Sequence, residues 1–137
     1  MTMTAASVGP PRYQERYAAR LEAAQQARRD IALALESWGL PHLVEVAEQI
    51  VTELVANAVE HTDAATVGVS VTRTGEEAVR IVVTDTSRTR PTPAEPSSDD
   101  ENGRGLLLVD ALAHDWGSEL VHGGKRMWAE LRAEGER

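Results

Sequence analysis

The sequence predicts an α/β (α+β) domain in which amphipathic helices cover a sheet built from hairpins. Three observations predict it. Residues 23–38 and 42–61 carry apolar side chains at helical spacing. Residues 66–73 and 78–84 alternate apolar and polar side chains on either side of a turn. Residues 115–121 and 126–132 have the same look around His122-Gly123-Gly124.

Taken in order, residues 1–15 contain Gly9-Pro10-Pro11 and few apolar side chains, and read as a flexible arm. Residues 16–21 fit either a short strand or the start of the next helix. In the first helix Ala27, Ile31, Leu35 and Trp38 share one face, and Gly39 and Pro41 stop it. The second helix repeats Leu43, Val46, Ala47, Ile50, Leu54 and Ala58. The first hairpin places Val67, Val69 and Val71 on one strand face and Val79, Ile81 and Val83 on the other strand's matching face. Asp85 continues that stripe, so a carboxylate stands where the next inward side chain belongs. Residues 87–102 hold three prolines and Asp99-Asp100-Glu101, the composition of a mobile or functional loop. Gly103-Arg104-Gly105 then opens an apolar helical run over 106–113.

At 137 residues the chain has the size of one domain, 42% hydrophobic and 26% charged as in soluble globular proteins. The absence of cysteine excludes disulfides, thiol nucleophiles and Cys-based metal sites. Its four histidines form no metal-binding pattern. A net charge of −8, with Lys125 the single lysine, argues against a broad nucleic-acid surface. No apolar run approaches the roughly 20 residues of a membrane span, and no signal-peptide core opens the chain. The expectation is a cytoplasmic protein with no membrane contact and no direct nucleic-acid partner.

The second helix ends in Glu53-Leu-Val-Ala-Asn57-Ala-Val-Glu-His61. At about 100° per residue, Asn57 and His61 fall near the middle of the apolar stripe and Glu53 on its edge. Burying an amide or imidazole without partners costs on the order of a few kcal/mol. Either these groups bond within the fold, or a ligand cavity meets this end of the helix. A carboxylate and an amide one turn apart, a strand ending in Asp85, and a glycine pair opening a helix together point to one kind of site, where free N–H groups at a helix start suit phosphate.

In their order and spacing these motifs resemble the GHKL ATPase superfamily, and most closely its small branch of anti-sigma-factor serine kinases. Residues 53–61 match the N box, Val83-Thr84-Asp85 the start of the G1 box, and residues 103–109 the G2 box; Gly124-Lys-Arg-Met-Trp128 resembles the closing strand. The resemblance implies a two-layer sandwich of the histidine kinase-like ATPase fold, with a mixed, mainly antiparallel sheet and three helices on one face. It places an ATP-binding domain at 16–133, between the arm 1–15 and a tail 134–137. It implies Asn57 as the Mg²⁺ ligand and Glu53 as general base. Asp85 would accept a hydrogen bond from the adenine amine, and Gly103, Arg104 and Gly105 would cradle phosphates. For Arg104, a plain surface arginine is the alternative. His61 would shape the pocket wall, and the proline-rich stretch would form a lid.

One departure stands out. The family's G1 box reads DxGxG, whereas Thr86, Ser87, Arg88 and Thr89 follow Asp85 here. Missing glycines remove backbone freedom near the nucleotide. Two functions follow from the resemblance. The first is an ATP-dependent serine kinase that sequesters a sigma factor and phosphorylates a STAS-type anti-anti-sigma partner. The alternative is a non-catalytic, nucleotide-responsive regulator that acts by binding. A homodimer is compatible with either.

Overall fold

The computed structural model describes residues 9–85, 100–121 and 124–133. Within them the order is β1 (Arg12–Ala18), α1 (Glu22–Ser37), a 3-10 turn (Pro41–Leu43), α2 (Val44–Glu60), β2 (Thr66–Gly75), β3 (Ala78–Asp85), α3 (Asp100–Leu112), β4 (Asp115–Val121) and β5 (Gly124–Arg132). The five strands form one sheet in the order β1-β2-β3-β5-β4.

Local chemistry sets the helix ends. At the end of α1, Gly39 adopts φ +78°, a left-handed conformation that glycine enters without a Cβ penalty. Its N–H donates to the Glu36 carbonyl, and the Leu40 N–H to that of Leu35, a Schellman arrangement. Leu35 and Leu40 are both fully buried, so the cap also closes a hydrophobic contact. From there α2 crosses the centre of the helical layer, packing against α1, α3 and the sheet. That position explains why Val51 and Val55 are buried beside Ala47, Ile50, Leu54 and Ala58. The apolar face of a central helix is wider than that of a helix with one neighbour.

The core is aliphatic. Val67, Val69 and Val71 of β2, Val79, Ile81 and Val83 of β3, and Met127, Ala129 and Leu131 of β5 meet Ile31, Leu35, Ile50, Leu54 and Val109 from the helices. On the opposite sheet face the Trp128 indole lies over Gly117, where an added Cβ would come within 2.9 Å of it. The Arg80 guanidinium stacks 4.4 Å from the centre of the same indole. At the hairpin between β2 and β3, Arg73 donates to the carbonyls of Gly75, Glu76 and Trp38. One guanidinium thus ties the hairpin to the end of α1.

Three expectations are corrected. Every strand pairing is antiparallel, so the sheet is not mixed among the described residues. The first strand begins at Arg12, which takes Arg12 to Glu15 out of the expected arm. Its polar composition hid it: as an edge strand it turns Arg12, Gln14 and Arg16 outward, while Tyr13 and Tyr17 face α1. Finally, α3 starts at Asp100, so the expected loop ends before that residue and the glycine pair lies inside the helix. Acidic residue types such as Asp100 and Glu101 suit a first helical turn. The remainder of the expected lid, 87–99, and the tail 134–137 lie outside the described residues.

Candidate nucleotide site

The N-terminal half of α2 is ordinary core helix, and its last two turns are not. Asn57 is only 8% exposed, and its side-chain Oδ1 has no hydrogen-bond partner among the described residues. A buried polar atom without a partner costs roughly 1–3 kcal/mol, which a fold avoids by a single side-chain change unless the atom has a use. Glu53, one turn earlier, is half-buried. The helix period thus holds a carboxylate and an unsatisfied amide oxygen side by side.

His61 takes a different place from the one its spacing suggests. It is the C-cap of α2, with φ −111° and ψ 12°, and its side chain is exposed. Helical extrapolation stops where helical dihedrals stop, so the ring leaves the apolar stripe.

Asp85 ends β3 on the inward face and is 8% exposed. Its Oδ1 accepts a hydrogen bond from the Thr62 hydroxyl at 2.5 Å. The Thr62 Oγ1 in turn accepts from the Ala64 backbone N–H at 2.9 Å. Thr62 follows the cap of α2, so this short relay joins the end of the helix carrying Glu53 and Asn57 to the end of the strand carrying Asp85. Across the sheet, Lys125 of β5 pairs in register with Asp85. Neither Thr62 nor Lys125 was assigned a role from the sequence. The signal for Thr62 was a Thr-Asp-Ala turn directly after a helix, which reads as a hydroxyl bonding its own backbone. For Lys125 the signal was the chain's lone lysine opening a strand.

Gly103, Arg104 and Gly105 belong to the first two turns of α3, which packs against α2. The free N–H groups of a helix are those of its first four residues. With the cap position counted as the first, that set closes before Gly103, and both glycines lie beyond it. The structure therefore brings the helix carrying the glycines to the helix carrying Glu53 and Asn57, with both glycines beyond the free-donor turn.

Among the described residues no group of three His, Asp or Glu side chains forms a metal site. A single amide oxygen is nonetheless a suitable partial ligand for Mg²⁺, which keeps several waters and takes its other oxygens from phosphates. No helix among the described residues is long and apolar enough to cross a membrane.

Residues 17–131 match the family model of the histidine kinase-like ATPase domain. No curated protein matches the chain.

Proposed function

The chain belongs to the histidine kinase-like ATPase domain family, and from that premise we propose that it is an ATP-dependent protein serine kinase that regulates transcription. In this reading it sequesters a sigma factor and transfers the γ-phosphate of ATP to a serine of a STAS-type anti-anti-sigma partner. The observation that carries the site is the buried Asn57 Oδ1, without a hydrogen-bond partner among the described residues, one turn from Glu53. The partners rest on the chain's resemblance to the small branch of anti-sigma-factor kinases, whose closing strand Gly124-Lys-Arg-Met-Trp128 resembles.

Each residue has a role that its position permits. Asn57 would hold Mg²⁺, which when bound neutralises charge on the phosphates. Glu53 accepts the proton of the serine hydroxyl as that oxygen attacks. Asp85 accepts from the adenine amine, and Gly103, Arg104 and Gly105 stand by the phosphates. Burial of Asn57 beside a half-buried Glu53 keeps bulk water from competing for the amide oxygen.

A second reading is favoured by two specific features. No glycine follows Asp85 in the G1 segment, and both Gly103 and Gly105 lie past the free N–H groups of α3. Both suit a non-catalytic regulator whose nucleotide affinity is low and whose action is binding alone.

The test is labelled phosphate transfer from Mg-ATP to co-encoded candidate partners, with the parent and Glu53→Gln side by side. The kinase reading expects transfer by the parent and a loss of roughly 10²–10⁴-fold in Glu53→Gln, the usual worth of a general base. Nucleotide and sigma-factor binding should persist in the mutant. A parent that inhibits a bound sigma factor yet transfers phosphate to no candidate is the binding regulator instead.

A further inference from the structure

The hydroxyl of Thr62 has two bonds of fixed direction. The Ala64 N–H can only donate, so Thr62 Oγ1 is an acceptor there, at 2.9 Å. Its own proton is then available to Asp85 Oδ1, 2.5 Å away. The turn that makes the first bond lies between α2 and β2, and β2 is the strand paired with β3 through Val67 and Asp85. The position of the donor is therefore set by backbone on one side and sheet register on the other. That donor holds a carboxylate only 8% exposed in one orientation.

We infer that Thr62 is a positioning residue for base selection: by holding the Asp85 carboxylate in a fixed orientation, it sets the preference for a purine bearing an exocyclic amine. The inference deepens the nucleotide-site reading and rests on it. The chemistry follows from donor and acceptor counting. An ionised carboxylate offers acceptors only, so it welcomes the 6-amino group of adenine and repels the 6-oxo group of hypoxanthine. A carboxylate free to rotate would present its acceptors less squarely to that amine and would discriminate less. The Thr62 hydroxyl opposes that rotation by donating to Oδ1 from a fixed position.

The role belongs to Thr62 rather than to the turn in general. Valine has the same shape and the same β-branched backbone preference but cannot accept from Ala64 or donate to Asp85. Serine keeps the hydroxyl and loses only a methyl group. These two replacements separate hydrogen bonding from packing.

The experiment measures dissociation constants of the full-length chain with Mg²⁺ for three nucleotides: ATP, inosine triphosphate, and purine riboside triphosphate, which has hydrogen at position 6. The parent, Thr62→Val and Thr62→Ser are compared, each with its thermal unfolding recorded. The expected result is that Thr62→Val weakens ATP about tenfold, the equivalent of one hydrogen bond to a charged group. Purine riboside triphosphate should change less than about twofold, the gap between ATP and inosine triphosphate should narrow, and Thr62→Ser should restore the parent pattern. Equal weakening of all three nucleotides in Thr62→Val would overturn the inference and make Thr62 a structural turn residue. Unchanged ATP affinity and selectivity in a folded Thr62→Val would overturn it as well. If the parent binds none of the three nucleotides, the nucleotide-site reading itself fails, and the inference falls with it.

Discussion

Two buried polar clusters sit on this fold, and they treat their hydrogen bonds in opposite ways. At the edge of the sheet, Tyr13 and Tyr17 of β1 both donate to Asp30 Oδ2 of α1, at 2.9 and 2.7 Å, with the two hydroxyl oxygens 2.8 Å apart. Every polar tip there has a partner inside the fold. At the end of α2, Asn57 is as buried as Tyr17, at 8% against 6% exposure, yet its oxygen has none among the described residues. The first cluster spends its polarity on fixing an edge strand to a helix. The second keeps an acceptor uncommitted among the described residues, open to a ligand. A buried polar group with a complete set of partners reads as structure, and one without reads as a site.

That contrast makes opposite forecasts for two small substitutions. Asn57→Ala removes an unsatisfied oxygen and leaves the best helix former, so stability should hold or rise slightly. Mg-ATP affinity should fall by at least about tenfold, the equivalent of roughly 1.4 kcal/mol for a lost oxygen ligand. Tyr17→Phe should do the reverse: it removes a satisfied hydroxyl and lowers stability by about 1–2 kcal/mol, with nucleotide affinity unchanged. Urea unfolding and nucleotide titration on both variants test the pair. An Asn57→Ala protein that binds Mg-ATP like the parent, or that unfolds more easily than Tyr17→Phe, breaks the comparison.

Alkaline pH sharpens it. Burial first, and then the hydrogen bonds with Tyr13 and Asp30, raise the Tyr17 pKa above the ordinary 10.0, and burial does the same for Tyr13. In the unfolded chain both phenols release their protons near pH 10, while in the native state they hold them. The unfolded state then binds fewer protons, so stability is fully present below pH 10 and declines as pH rises beyond it. Unfolding midpoints measured from pH 8 to pH 11 should show that decline in the parent and a shallower one in Tyr17→Phe. Identical slopes in both would mean that the cluster is open to solvent.

How much of this was legible in the sequence follows the same division. The helices and both hairpins were readable because their apolar residues repeat with the period of the element. Asn57 and Asp85 stood out as candidates because each interrupts such a period, and the structure buries both. The strand from Arg12 was not readable, since an edge strand with one face to water needs few apolar side chains, and its inward residues are tyrosines anchored by a bond to Asp30, seventeen positions from Tyr13. The start of α3 was misplaced because glycines inside a helix look like its beginning. Thr62 was invisible for a further reason: its partner Asp85 lies 23 positions away, and only the pairing of β2 with β3 brings the two together.

The smallest effect belongs to a polar pair of neither kind. A ring nitrogen of His42 lies 2.5 Å from the Glu77 carboxylate, linking the turn before α2 to the hairpin between β2 and β3. Its length invites the view that it anchors the hairpin. Yet the two side chains are 44% and 41% exposed, so water competes for both partners and salt screens them. The hairpin is also held independently, because Arg73 bonds to the Trp38, Gly75 and Glu76 carbonyls. Deleting the pair therefore removes a contact whose loss solvent makes good, and leaves the guanidinium clamp in place. His42→Ala should change unfolding stability by less than about 1 kcal/mol, well below the effect of Tyr17→Phe measured in the same buffer. Nucleotide affinity should not move, since His42 sits at the opposite end of α2 from Asn57. A loss as large as that of Tyr17→Phe would mean that an exposed pair can do the work of a buried one, and burial would no longer separate structure from site in this fold.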